Sequence, residues 1–171
     1  MENFKRYILI GFMGAGKTYL GKQLAENLNL PFIDSDEEIE KEYNSTIKEI
    51  FEKEGEEAFR LKEQKFILDL RDKGSFILST GGGMPCFSKN MDLLNEIGIT
   101  IYLKLPPSVL AQRLLNDNEE RPLIVDDKID QLMLFIKEKL SVREQFYHQS
   151  QIILNENDQM IERILKHIQH G

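Results

Sequence analysis

Eight residues near the start of the chain, Gly11 to Thr18, read G-F-M-G-A-G-K-T and satisfy the pattern G-x-x-x-x-G-K-[ST] in full. The order suits one task. Glycines let backbone N–H groups curl around a phosphate without side-chain obstruction. A helix opening at the same point adds unpaired donors and a favourable dipole. Gly14, Ala15, Gly16, Lys17 and Thr18 are therefore the expected nucleotide-binding residues. Lys17 would reach the β- and γ-phosphates, and the Thr18 hydroxyl would take a place on Mg²⁺. No N-K-x-D guanine-reading motif occurs. The third apolar run ends in Ser79-Thr80-Gly81 with no aspartate for a second metal carboxylate. Those two absences turn the reading from switch and motor proteins toward small kinases.

A second group of residues suits an acceptor. Asp34-Ser35-Asp36 follows the second apolar run, where ligands of open α/β sheets bind. Its two carboxylates suit a Mg²⁺ water shell and a substrate hydroxyl; alternatively, Asp36 simply caps a helix. Gly81-Gly82-Gly83 either admits a ligand close to the backbone or forms a flexible turn. Arg60 and Arg143 are two of seven arginines in an acidic chain. Each offers a planar fork for a carboxylate or phosphate, and each has abundant Glu nearby to pair with at the surface. Asn116 to Val125, N-D-N-E-E-R-P-L-I-V, reads as a mobile lid able to bring Arg121 to a transferring phosphoryl group, or as an ordinary loop with a solvated arginine.

These residues must be held by alternating elements. Short runs apolar on both faces occur at Tyr7–Ile10, Pro31–Ile33, Phe76–Leu78, Thr100–Leu103 and Ile152–Leu154, the signature of parallel strands covered by helices. A helix is predicted from Thr18 to Leu28. Thr46 and Glu49 predict a capping box, and Gly55 a left-handed stop to the helix they open. Ser88 predicts the cap of a helix ending at Gly98, and Pro106-Pro107 the start of another. Ile129, Leu132, Met133, Ile136 and Leu140 recur at helical spacing and read as core. The sum is one doubly wound α/β domain over residues 1–171: three layers, α/β/α, around a five-stranded parallel sheet of the P-loop NTPase type.

The formal net charge of −7 argues against nucleic-acid binding. A single cysteine, Cys86, permits no internal disulfide and fits a reducing compartment. No run approaches the roughly 20 apolar residues of a membrane span. The apolar run behind Lys5 and Arg6 is broken by Gly14, Gly16 and Lys17, unlike a signal peptide. A cytoplasmic monomer is the expectation.

Together these segments resemble the shikimate kinase family from about Tyr7 to about Tyr147. G-A-G-K-T resembles its phosphate loop, F-I-D-S-D its F-x-D-x-D, and E-A-F-R-L-K-E its E-x-x-F-R-x-x-E. S-T-G-G-G-M resembles its triple-glycine strand end, R-P-L-I its lid R-P-L-L, and R-E-Q-F-Y its R-x-P-x-Y. The resemblance implies a nucleoside monophosphate kinase-like fold and transfer of the ATP γ-phosphoryl to the 3-hydroxyl of shikimate, a step toward chorismate and the aromatic amino acids. It implies that Asp36 holds the shikimate hydroxyls and helps accept the proton. Arg60, Arg143 and the glycines Gly81, Gly82 and Gly83 would bind the acid. Arg121 would fold over the phosphates, Arg113 would lie along the adenine, and Asp34 would hold Mg²⁺ through water. An acceptor-binding helical part would span about residues 34–62.

The chain departs from the family pattern at three places. Tyr19 stands where a second Ser or Thr is usual, leaving the backbone N–H for the α-phosphate. Gln145 replaces a proline, and Gln151 a small residue. Competing readings are a gluconate kinase, for which the triple glycine and the Arg60 motif are not expected, and an adenylate kinase-like enzyme, which should carry D-G-x-P-R. A nucleotide-holding regulator without catalysis is the third; the retained Lys17, Thr18, Asp36 and Arg121 speak against it.

Overall fold

The computed structural model describes residues 4–116 and 126–170. Five strands, β1 (Arg6–Ile10), β2 (Phe32–Asp34), β3 (Phe76–Ser79), β4 (Ile99–Leu103) and β5 (Ile152–Leu154), form one sheet in the order β2-β3-β1-β4-β5. All four pairings are parallel. Each strand lies within one residue of its expected limits. The central strands are apolar on both sides because both sides are covered: Ile8, Leu9, Ile10, Ile77, Leu78 and Ile101 are fully buried. Each such side chain contributes about 1.5–3 kcal/mol of transfer free energy. The edge strand β5 departs from this pattern, leaving Ile153 exposed.

Helix α1 (Lys17–Leu28) follows β1, and α2 (Ser35–Tyr43) and α3 (Ile47–Asp69) join β2 to β3. Helix α4 (Asn90–Ile97) precedes β4. After it come α5 (Pro107–Asn116), α6 (Asp126–Tyr147) and, beyond β5, α7 (Ile161–His170). The chain runs outward from β1 to β2 and then back across the sheet to β5. Right-handed crossovers therefore place α1 on one face and α2 to α6 on the other. Packing agrees, with α1 against α7, α3 against α4 and α5 against α6. The reversal of direction at β1 makes its carboxyl end the switch point, where such sheets bind ligands.

Helix ends follow the sequence in part. Thr46 Oγ1 accepts from the Glu49 N–H at 3.2 Å and Glu49 Oε2 accepts from the Thr46 N–H at 2.9 Å, a complete capping box. Pro107 opens α5 as expected. Gly55 breaks the helix at a positive φ, as expected: it takes φ 87° and ψ 172°, and beyond this kink a second helical segment continues α3. The helix resumes because its second half buries Phe59, Phe66 and Ile67. Ser88 does not cap α4: it sits at φ 50°, one residue too early, and Lys89 holds the cap position without a side-chain bond. Of the expected lid, only Asn116 lies within the described residues; Arg121 lies outside them.

Candidate active site

The carboxyl ends of β1, β2 and β3 open into a cleft of about 690 Å³. Gly14, Gly16, Lys17, Thr18, Tyr19, Asp34, Asp36, Gly81, Gly82 and Arg113 all line it. Ala15 is buried behind the loop, with its N–H donating to the Phe12 carbonyl at 3.1 Å. The loop feeds straight into α1. Gly16 takes the cap position at φ 93°, a conformation that favours glycine, and offers no side chain to the helix donors. The first turn of α1 carries no acidic residue. Its free N–H groups and dipole face the cleft, which makes this end of α1 an anion site.

Lys17 Nζ donates to the carbonyls of Gly11 and Phe12, at 2.9 and 3.0 Å. Burial lowers its ammonium to about 8, against the opposing pull of Asp36 and Asp34. A buried cation beside a row of N–H donors attracts the most highly charged part of a nucleotide. Arg113 Nη1 donates to the Ala15 carbonyl at 3.2 Å and so stands against the outer side of the same loop.

Asp34 ends β2 and caps α2, accepting from the Asp36 N–H at 3.1 Å. The cap is therefore Asp34, which frees the Asp36 carboxylate to face the cleft. Thr18 Oγ1 donates to Asp34 Oδ2 at 3.0 Å and lies 3.3 Å from Ser79 Oγ. These are hard oxygen donors gathered at the phosphate loop, a set that fits Mg²⁺ completed by water and phosphate oxygens. Among the described residues no group of three or more His, Cys, Asp or Glu side chains is placed to hold a metal.

Burial raises the Asp36 carboxyl above its ordinary value, with neighbouring Asp34 adding to the effect and the Ser35 hydroxyl and Lys17 opposing it. Ser35 Oγ accepts from the Gly81 N–H at 2.8 Å, locking β3's end to the start of α2. A Cβ on Gly81 would lie 2.6 Å from Asp36 Oδ1, so the carboxylate would have to shift to admit one. A Cβ on Gly83 would lie 2.7 Å from Arg60 Cζ and would displace the guanidinium likewise. The triple glycine is thus a surface against which a carboxylate and a guanidinium are pressed.

Beside the cleft, a second hollow of about 460 Å³ is lined by Arg60, Gly83, Cys86 and Arg143, with Glu56 at its rim. Arg60 Nη1 donates to Glu63 Oε2 at 2.7 Å and Nη2 to Glu56 Oε1 at 3.1 Å. The Arg143 guanidinium lies 5.5 Å from the centre of the Phe12 ring, a cation–π contact. Tyr147 donates to the Gly82 carbonyl at 2.6 Å, tying the end of α6 to the glycine turn. Gln145 lies within α6 and donates to the Val142 carbonyl, so the helix runs on without a proline. Gln151 reaches the carbonyls of Asn95 and Gly98.

Every expected site residue but Arg121 falls at this cleft, the adjoining hollow or the loop behind them. Four further contributors, Ser35, Ser79, Tyr147 and Glu63, lie inside the segments quoted above, but the sequence reading gave them no role. Glu63 is fully buried, and its Oε1 has no hydrogen-bond partner. Burial pushes its carboxyl up to about 7 despite Arg60. Its spacing from Arg60, three residues along a helix, was the available clue.

Known proteins match this arrangement along nearly its whole length. The family model described as shikimate kinase matches residues 13–170. A shikimate kinase of Azobacteroides pseudotrichonymphae genomovar. CFP2 is 47% identical over 150 residues, covering 87% of this chain and 88% of that one. The crystal structure of shikimate kinase from Bacteroides thetaiotaomicron superposes with a TM-score of 0.84 at 40% identity, covering 97% of each chain. Shikimate kinase from Acinetobacter baumannii in complex with shikimate gives a TM-score of 0.78 at 36% identity, covering 98% of this chain and 93% of that one. On the family match over residues 13–170 and the 47% identity to a shikimate kinase, the chain belongs to the shikimate kinase family.

Proposed function

We propose that this chain transfers the γ-phosphoryl of ATP to the 3-hydroxyl of shikimate, giving ADP and shikimate 3-phosphate for aromatic amino acid biosynthesis. The observation that carries the reading is the junction of two sites at one glycine turn. Gly81 backs Asp36 in the phosphate cleft, and two residues on Gly83 backs Arg60 in the adjoining hollow. A ligand with a hydroxyl at one end and a carboxylate at the other fits that junction. The likeness to a shikimate kinase solved in complex with shikimate supports the same acceptor.

ATP lies with its phosphates on residues 14–19 and its adenine along Arg113. Thr18 and Asp34 would hold Mg²⁺, which would supply charge neutralisation for the nucleotide phosphates. Arg60 and Arg143 grip the acceptor carboxylate and set its 3-hydroxyl beside Asp36. Asp36 accepts the hydroxyl proton as the oxygen bonds to γ-phosphorus and the bond from phosphorus to the β-phosphate bridging oxygen breaks. Its raised pKa makes it a stronger base than an ordinary aspartate. Lys17 and Arg121 stabilise charge on the moving phosphoryl group.

The test is to incubate the enzyme with MgATP and shikimate and identify the product by phosphorus NMR. A shikimate monophosphate esterified at the 3-oxygen, formed one for one with ADP, is expected. Phosphate at another oxygen, or inorganic phosphate alone, would refute the reading.

A further inference from the structure

Tyr19 is an anomaly of the cleft. It is 69% exposed, the most open of the large apolar side chains among the described residues, and it lines the phosphate cleft. Its ring is not left to wander. Gln23, one turn along α1, donates from Nε2 to the Tyr19 hydroxyl at 3.0 Å. Gly16 and Arg113 line the same cleft, with Arg113 Nη1 3.4 Å from where a Gly16 Cβ would be. The opening beside Tyr19 and Arg113 is the exit from the phosphate cradle.

We propose that the Tyr19 side chain is a nucleoside-binding element, its ring packing against the ribose and purine of ATP on the side of the exit opposite Arg113. The inference rests on the ATP reading above and adds a contact to it. A triphosphate held by the backbone of residues 14–19 must send its sugar and base out through this exit, and replacing the Tyr19 side chain leaves that backbone in place. There the nucleoside meets a guanidinium and an aromatic face, two surfaces on which a purine stacks well. With a ring rather than a short hydroxyl at position 19, the helix offers the nucleoside apolar area. The Gln23 bond fixes the ring beforehand and lowers the ordering cost on binding.

The test separates the nucleoside from its phosphates. Calorimetric titrations with MgADP and with inorganic triphosphate plus Mg²⁺ are run on the full chain, on Tyr19→Ala and on Tyr19→Phe. The side chain is solvent-facing, so both variants fold. Tyr19→Ala is expected to weaken ADP binding about tenfold while leaving the Kd for triphosphate unchanged. Tyr19→Phe keeps the ring and restores ADP binding. Equal ADP affinity in Tyr19→Ala and wild type would overturn the proposal. So would parallel losses of ADP and triphosphate, because the residue would then act through the loop. A wild-type chain that binds triphosphate but not ADP would overturn the ATP reading itself, and this contact with it.

Discussion

Asp36 and Gly81 are pressed together so closely that no side chain fits between them: a Cβ on residue 81 would lie 2.6 Å from Asp36 Oδ1. The glycine therefore sets where the base can stand. Gly81→Ala must push the carboxylate out of line with the acceptor hydroxyl. A displacement of about 1 Å at a reacting group costs on the order of 100-fold in rate. The expected outcome is a kcat for ADP release reduced to that extent with ADP affinity retained, because the phosphate loop is untouched. An Ala variant with wild-type kcat would show that Asp36 does not need this position.

Much of this geometry is legible in the sequence, for reasons that differ by element. The strands are readable because burial on both faces leaves only apolar residues, and Ile8, Leu78 and Ile101 could hardly stand elsewhere. The phosphate loop is readable because its backbone needs glycine and its ligand needs Lys17 and Thr18. Glu63 is not readable in the same way. Its carboxylate acquires meaning only when α3 packs against the turn after β3 and buries it beside Arg60. Gly55 is half readable: its positive φ makes the break that local chemistry favours, but the burial of Phe59 and Phe66 that starts the helix again belongs to the packed fold. Ser88 misleads because its own backbone takes a positive φ, which a capping residue in extended conformation does not.

Glu63 links protonation to stability. Its folded pKa is raised to about 7 by burial, above the ordinary carboxylate value of 4.5. Between those values the folded chain holds a proton that the unfolded chain has lost. Stability therefore falls as pH rises from 4.5 through 7. The shift corresponds to an effect on the order of 3 kcal/mol. Thermal unfolding of the wild type should show Tm declining across this window relative to Glu63→Gln, which has no proton to lose. Parallel Tm curves for the two proteins would exclude Glu63 as the linked group.

Lys17 gives a pH dependence in activity rather than in stability. Its ammonium is lowered to about 8, so the free enzyme loses that charge as pH climbs through 8. The phosphates need the charge, hence kcat/KM for ATP should fall on the alkaline side with an apparent pKa near 8. Lys17→Arg, whatever its rate, stays protonated and should lose that alkaline limb. An unchanged limb in the Arg variant would assign it to another group.

Arg121 lies outside the described residues, and its role is proposed from the lid reading. Among residues 116–125 it is the single cation, beside Asp117, Glu119 and Glu120. A contact that strengthens as charge develops on the phosphoryl group lowers kcat when removed, with little effect on ground-state binding. Arg121→Ala should thus lose kcat far more than shikimate affinity, measured by steady-state rates and calorimetry. Wild-type kcat in this variant would make Arg121 a surface residue.

The carboxylate grip of Arg60 and Arg143 joins the acceptor to the phosphate cleft, and one comparison tests it directly. ADP release is measured with shikimate, shikimate methyl ester and gluconate, in wild type and Arg143→Ala. A charged hydrogen bond left unmade in a closed site costs about 1.5–3 kcal/mol, roughly tenfold or more in kcat/KM. Wild type should turn over shikimate at least that much better than its ester, and Arg143→Ala should lose most of that preference. Equal kcat/KM for acid and ester, or turnover of gluconate in place of shikimate, would contradict the assignment.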